Sequence, residues 1–143
     1  MRYLRSVLIA AVAVGALVVP SSASAQINSL SVSSPAHLTA DRSMAVTLTY
    51  ECDPGWNVAF GDVTVRQLTG FKQAVGFGSF FNSFPGVPCT GAPQTSEVTV
   101  SSFGSFTFKP GKALVTATLT VFNPTTFAFD SETTGLVEIH VRR

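Results

Sequence analysis

Pro110-Gly111-Lys112-Ala113-Leu114-Val115-Thr116-Ala117-Thr118-Leu119-Thr120-Val121 is the stretch that decides the fold. Ala113, Val115, Ala117, Leu119 and Val121 point one way, and Thr116, Thr118 and Thr120 point the other. Alternation with period two marks a strand with one dry face and one wet face. Threonine suits the wet side, because its branched carbon packs against neighbours while its hydroxyl meets water. Pro110-Gly111 starts the strand with a tight turn, and Asn123-Pro124 ends it.

The same pattern recurs on both sides. Met44, Val46, Leu48, Tyr50 and Cys52 share a face opposite Ala45, Thr47, Thr49 and Glu51, and Asp53-Pro54-Gly55 then turns the chain. Ser96, Val98 and Val100 alternate with Glu97, Thr99 and Ser101. Ile27 to Val32 reads as an opening strand before a turn at Ser34-Pro35, and a glycine-rich strand covers Gln73 to Phe80. The last strand, Leu136 to Arg142, buries Val137, Ile139 and Val141 and exposes Glu138, His140 and Arg142. Between Asn57 and Leu68 the parity changes. Trp56, Val58 and Phe60 share one face, the apolar set then moves to Val63 and Val65, and Gly61 at the slip predicts a β-bulge. No segment shows a convincing helical period. About seven antiparallel strands at this spacing predict an all-β, immunoglobulin-like Greek-key β-sandwich, with a closed barrel as second choice.

Ahead of these strands lies a different kind of segment. Arg2 and Arg5 precede an apolar run from Val7 to Val19, Pro20 breaks it, and Ala23-Ser24-Ala25 offers the small residues of a cleavage site. This is the layout of a Sec-type secretory signal, so residues 1–25 are expected to be removed and 26–143 to form a single secreted β-sandwich domain. The run is shorter than the ~20 residues that span a bilayer, so the mature chain is expected to have no membrane span.

Removing Arg2 and Arg5 leaves seven basic residues against eight acidic ones. No basic stripe runs along the sequence, so nucleic acid is not an expected partner. No lysine cluster follows an amphipathic helix, and the sequence offers nothing to attract a membrane surface. Cys52 and Cys89 are the only cysteines, and export would let them persist as a disulfide. Closing that loop stabilises a fold by roughly 3–4 kcal/mol on the chain-entropy model. A metal or redox pair is the competing reading. It lacks a Cys-x-x-Cys spacing and a nearby histidine.

The segments Val46-Thr-Leu-Thr-Tyr-Glu-Cys52, Cys89-Thr-Gly-Ala-Pro-Gln94, Glu97-Val-Thr-Val100 and Phe108-Lys-Pro-Gly-Lys-Ala-Leu-Val-Thr-Ala-Thr-Leu-Thr-Val121 carry a resemblance. Together they resemble small secreted actinomycete-type proteins of unknown function with an immunoglobulin-like β-sandwich. The resemblance implies fold and export, and its motifs mark strands and turns without carrying chemistry. The enediyne-binding apoproteins, also small exported sandwiches, differ in having two disulfides. Antibody domains place their core tryptophan further along the strand than Trp56, which follows Cys52 closely.

Catalysis needs a nucleophile, a base and a group that orients them. The chain has two histidines, His37 and His140, with His140 on a polar strand face, and no Gly-x-Ser-x-Gly elbow. No enzyme activity and no cofactor are expected. Glu51, Asp53 and Asp62, or Asp130-Ser131-Glu132, are thin calcium candidates that read equally as solvated turn carboxylates, and no metal is expected.

Phenylalanine is the oddity. All 12 follow residue 25, and Gly76-Phe-Gly-Ser-Phe-Phe-Asn-Ser-Phe-Pro-Gly86 holds four of them. Adjacent side chains of a strand face opposite sides, so Phe80, Phe81 and Phe84 cannot all point inward. Phe127 and Phe129 add a pair in the loop before the final strand. These five either fill the core and cover its open end or form a surface contact patch. The expected function is a secreted non-enzymatic binding module using Phe80, Phe81, Phe84, Phe127 and Phe129. Its partner would be an extracellular protein or a cell-wall component. The alternative is a carrier that holds a small apolar ligand in a loop-lined cleft.

Overall fold

A computed structural model describes residues 26–39 and 42–143, and the expected leader at residues 1–25 lies outside them. The described chain is all β. Its strands are β1 (Ile27–Val32), β2 (Ala36–Leu38), β3 (Ser43–Cys52), β4 (Asn57–Thr69), β5 (Lys72–Phe81), β6 (Val87–Pro88), β7 (Gln94–Phe103), β8 (Gly111–Phe122), β9 (Phe129–Thr133) and β10 (Val137–Arg142). The seven strands read from alternation are all present. The short elements β2, β6 and β9 add to them.

The hydrogen-bonded path runs β4, β5, β7, β3, β2, β10, β8 and returns to β4, a closed ring of seven strands. All pairings in it are antiparallel except β2 with β10. The expected sandwich is two open sheets, whereas here the ladder is continuous, which leaves fewer free edges. Glycines on β5 explain part of the closure. A Cβ at Gly78 would run into the Thr99 carbonyl, and one at Gly76 would meet the Ser101 carbonyl and the Phe108 ring. Only bare backbone lets β5 come this close to β7. The ring count matches the expected seven, but the members differ, since β2 belongs to the ring and β1 pairs with β3 outside it.

Strand parity is obeyed almost throughout. Met44, Val46, Leu48, Tyr50 and Cys52 are buried, as are Ala113, Val115, Ala117, Leu119 and Val121. One apolar cluster centres on Met44, Val46, Leu48, Val63, Val65, Val98, Val100 and Val115. A second holds Ile27, Tyr50, Cys52, Val58, Cys89, Leu119 and Val121 around the Cys52–Cys89 disulfide. The expected bulge exists but not at Gly61. The β4–β8 register shifts between Val58 and Phe60. Gly61 instead makes room for the ring of its cross-strand partner Phe80, which packs against both clusters.

The antiparallel register defines two ends. The disulfide end carries Cys52, Asn57, Phe81, Gln94 and Phe122. The hairpin end carries Ser43, the β4–β5 turn, Phe103 and Gly111.

Candidate functional site

At the disulfide end, β5, β4, β8 and β9 lie side by side, with Phe60 opposite Phe81 and Phe122 opposite Phe129. The Phe60 and Phe81 rings stack with centroids 5.2 Å apart. Phe122 is the hub of the array, with ring centroids 4.9 Å from Phe129, 5.7 Å from Phe84 and 5.9 Å from Phe127. Phe122 is buried, while Phe81, Phe84, Phe127 and Phe129 are 81, 79, 70 and 63% exposed. At ~200 Å² for each phenylalanine, these four leave roughly 600 Å² of apolar surface in water. That is the top of the range for the largest patch on an ordinary monomer, roughly 300–600 Å².

Phe84 and Phe127 sit on two loops, Phe81 and Phe129 at the strand ends beside them, and asparagines set the shape of both loops. The loop after β5 is tied to β4 where Asn57 Nδ2 donates to the Pro85 carbonyl at 2.8 Å. Asn82 Nδ2 donates to the Val58 carbonyl at 2.9 Å, and the Asn82 amide donates to the Ala59 carbonyl at 2.9 Å. In the loop after β8, Asn123 Oδ1 accepts from the amides of Thr125 at 2.9 Å and Thr126 at 3.0 Å. The Phe127 amide then closes on the Asn123 carbonyl at 2.8 Å. Phe127 itself has φ 59°, a left-handed conformation that a bulky side chain adopts only when its surroundings impose it. The loop backbones that carry Phe84 and Phe127 are therefore pinned by hydrogen bonds.

Between the loops lies a groove of about 310 Å³ lined by Ala59, Phe81, Phe84, Pro85, Phe122 and Phe129, among others. No ionisable side chain lines it. Its chemistry is contact with apolar surface, with little to fix polar groups of a ligand.

Of the five phenylalanines expected at a contact surface, the structure brings four together. Phe80 is not among them, because Gly61 opens a slot that draws its ring inward. Sequence reasoning missed Phe122 and Phe60. Phe122 shares the parity of Thr116, Thr118 and Thr120, so an aromatic ring on a wet face before a turn was the available signal. Phe129, expected in a loop, begins β9.

The other candidates lie apart. His37 on β2 and His140 on β10 are exposed. Asp53 accepts a hydrogen bond from Asn28 Nδ2 at 2.7 Å, and Asp130 accepts one from the Gln26 amide at 2.9 Å. Among the described residues no group of three His, Cys, Asp or Glu side chains could hold a metal ion. No described helix is long and apolar enough to cross a membrane. No protein-family model, curated protein or solved structure matches the chain.

Proposed function

We propose that this chain is an exported, non-enzymatic binding module whose contact surface is made by Phe84, Phe127 and Phe129 on Phe122 together with Phe81 on Phe60. The observation that carries the reading is the combination of high ring exposure with loops pinned by asparagine hydrogen bonds. Exposed aromatic groups on a rigid support bind at low entropic cost, because little must be ordered on contact. Export with cleavage after Ala25 belongs to the same proposal, and the Cys52–Cys89 disulfide suits that setting.

The strand order supports an immunoglobulin-like relationship within the closed barrel. β1, β3, β7 and β5 would form one layer and β2, β10, β8 and β4 the other, with β2 beside β10 in parallel. The resemblance to small secreted actinomycete-type proteins is consistent with that order and adds no site.

The carrier reading is favoured by one observation, the groove itself. At about 310 Å³ it sits at the small end of the roughly 300–1,000 Å³ of ligand pockets. Solvent extraction of the purified secreted protein followed by mass spectrometry separates the two readings, with a bound apolar compound expected only for a carrier.

Fluorescence of an apolar dye tests the contact surface. The wild-type protein is expected to enhance it, and Phe81→Ser with Phe129→Ser is expected to remove most of the enhancement at unchanged melting temperature. Equal enhancement by both proteins would overturn the proposal.

A further inference from the structure

Arg42, Arg66, Lys72, Lys109, Lys112, Arg142 and Arg143 are scattered through the sequence, yet every one is exposed in the hairpin half of the barrel. Arg42 precedes β3, Arg66 pairs opposite Val75 and Leu114, Lys72 opens β5, and Lys109 and Lys112 flank the start of β8. Arg142 ends β10. Glu138 is the one described carboxylate on this half, and it accepts a hydrogen bond from Lys112 Nζ at 2.8 Å. Glu51, Asp53, Asp62, Glu97, Asp130 and Glu132 all lie toward the disulfide end. Among the described residues the cations thus gather at one end of the barrel and most of the carboxylates toward the other.

The cations are interleaved with apolar side chains. Phe71 stands fully in solvent at the tip of the β4–β5 turn, close in sequence to exposed Leu68, and Phe103 at the end of β7 and Phe106 in the loop after it are also exposed. Lys72 Nζ lies 5.4 Å above the Phe106 ring. Lys72, Lys109, Phe106 and Thr69 line one shallow hollow. Protruding rings flanked by flexible ammonium and guanidinium groups match the two zones of an anionic bilayer. The headgroups would neutralise the cations, and the rings would reach the acyl boundary.

We infer that the hairpin end docks on an anionic lipid surface. A hydrated polyanion would meet the same cations but would leave Phe71 and Leu68 in water, so the apolar tip favours a bilayer. The disulfide end, whose charged groups are acidic, would be repelled from that surface and left pointing outward with its aromatic groove free. The inference does not depend on the groove having a partner.

Cosedimentation of the purified protein with phosphatidylglycerol/phosphatidylcholine vesicles, and with pure phosphatidylcholine vesicles, tests this. Binding is expected to the anionic vesicles only and to fall as salt is raised. Each basic residue near a surface contributes about fivefold, so Lys72→Gln with Lys109→Gln should weaken binding about 25-fold. Phe71→Ser should weaken it further, and Glu138→Gln, which releases Lys112, should tighten it. Phe81→Ser with Phe129→Ser should leave it unchanged, which separates this inference from the role proposed for the groove. Absence of binding at low salt would overturn the inference. So would equal binding to neutral vesicles. A third contrary result is binding to soluble polyphosphate together with no effect of Phe71→Ser on vesicles.

Discussion

At the disulfide end three exposed phenylalanines pack on buried Phe122 and a fourth, Phe81, stacks on Phe60, while at the hairpin end Phe108 is buried and Phe106 lies beneath Lys72. The difference comes from the groups beside each ring. Phe108 is buried because Gly76 leaves a space that no other residue would. The loop that carries it is clamped by buried Gln67. Its Nε2 donates to the Lys109 carbonyl at 2.8 Å, and its Oε1 accepts from the Lys109 amide at 2.8 Å. At the other end Asn57, Asn82 and Asn123 tie down the loops that carry Phe84 and Phe127, and those two rings stay exposed. A glycine gives a phenylalanine ring its socket, at Gly76 for Phe108 as at Gly61 for Phe80.

The largest expected effect falls on the sealed end. Phe108→Ala should cost roughly 3–5 kcal/mol in urea unfolding, as for other buried phenylalanines. The folded fraction should keep its dye response. A loss under about 1 kcal/mol, within the range of ordinary surface substitutions, would mean that this ring is not part of the core. A smaller effect on stability, with a larger one on binding, is expected at the exposed end. Phe127→Gly removes a ring contact but also removes left-handed strain of order 1–3 kcal/mol. Stability should therefore stay within about 1 kcal/mol of wild type while the dye response falls. A severe loss of stability would show that Phe127 holds the loop instead of being held by it.

Much of the fold was legible because alternation reports burial directly. The face of Met44 to Cys52 and that of Ala113 to Val121 are buried as read, and Cys52 and Cys89 are joined. Ring closure was not legible, because it depends on how closely β5 passes β7, and the glycines at 76 and 78 signal that only once the partner backbone is known. The same limit moved the bulge. Gly61 looked like a slip in the strand, and it is a socket for Phe80. At the site, adjacency shows only that Phe80, Phe81 and Phe84 cannot all point inward. The sequence leaves open whether Phe81, Phe84, Phe127 and Phe129 cover the core or face water, which the structure answers with exposure. Phe122 stayed hidden because its role comes from two loops folding over it. The charge asymmetry was least legible of all, since Arg42, Lys72, Lys109 and Arg142 share one end only after the strands reverse direction.

The central claim is that the two ends differ as surfaces, one a ring-lined groove without ionisable side chains and the other a set of separate rings among cations. Aromatic NMR spectra of the folded protein, recorded while an uncharged apolar probe is titrated in, test it most directly. The account predicts shifts in the rings of Phe81, Phe84, Phe122, Phe127 and Phe129, with Phe108 unmoved and Phe71, Phe103 and Phe106 little affected. Shifts concentrated at the hairpin end, or spread evenly over all exposed phenylalanines, would contradict it.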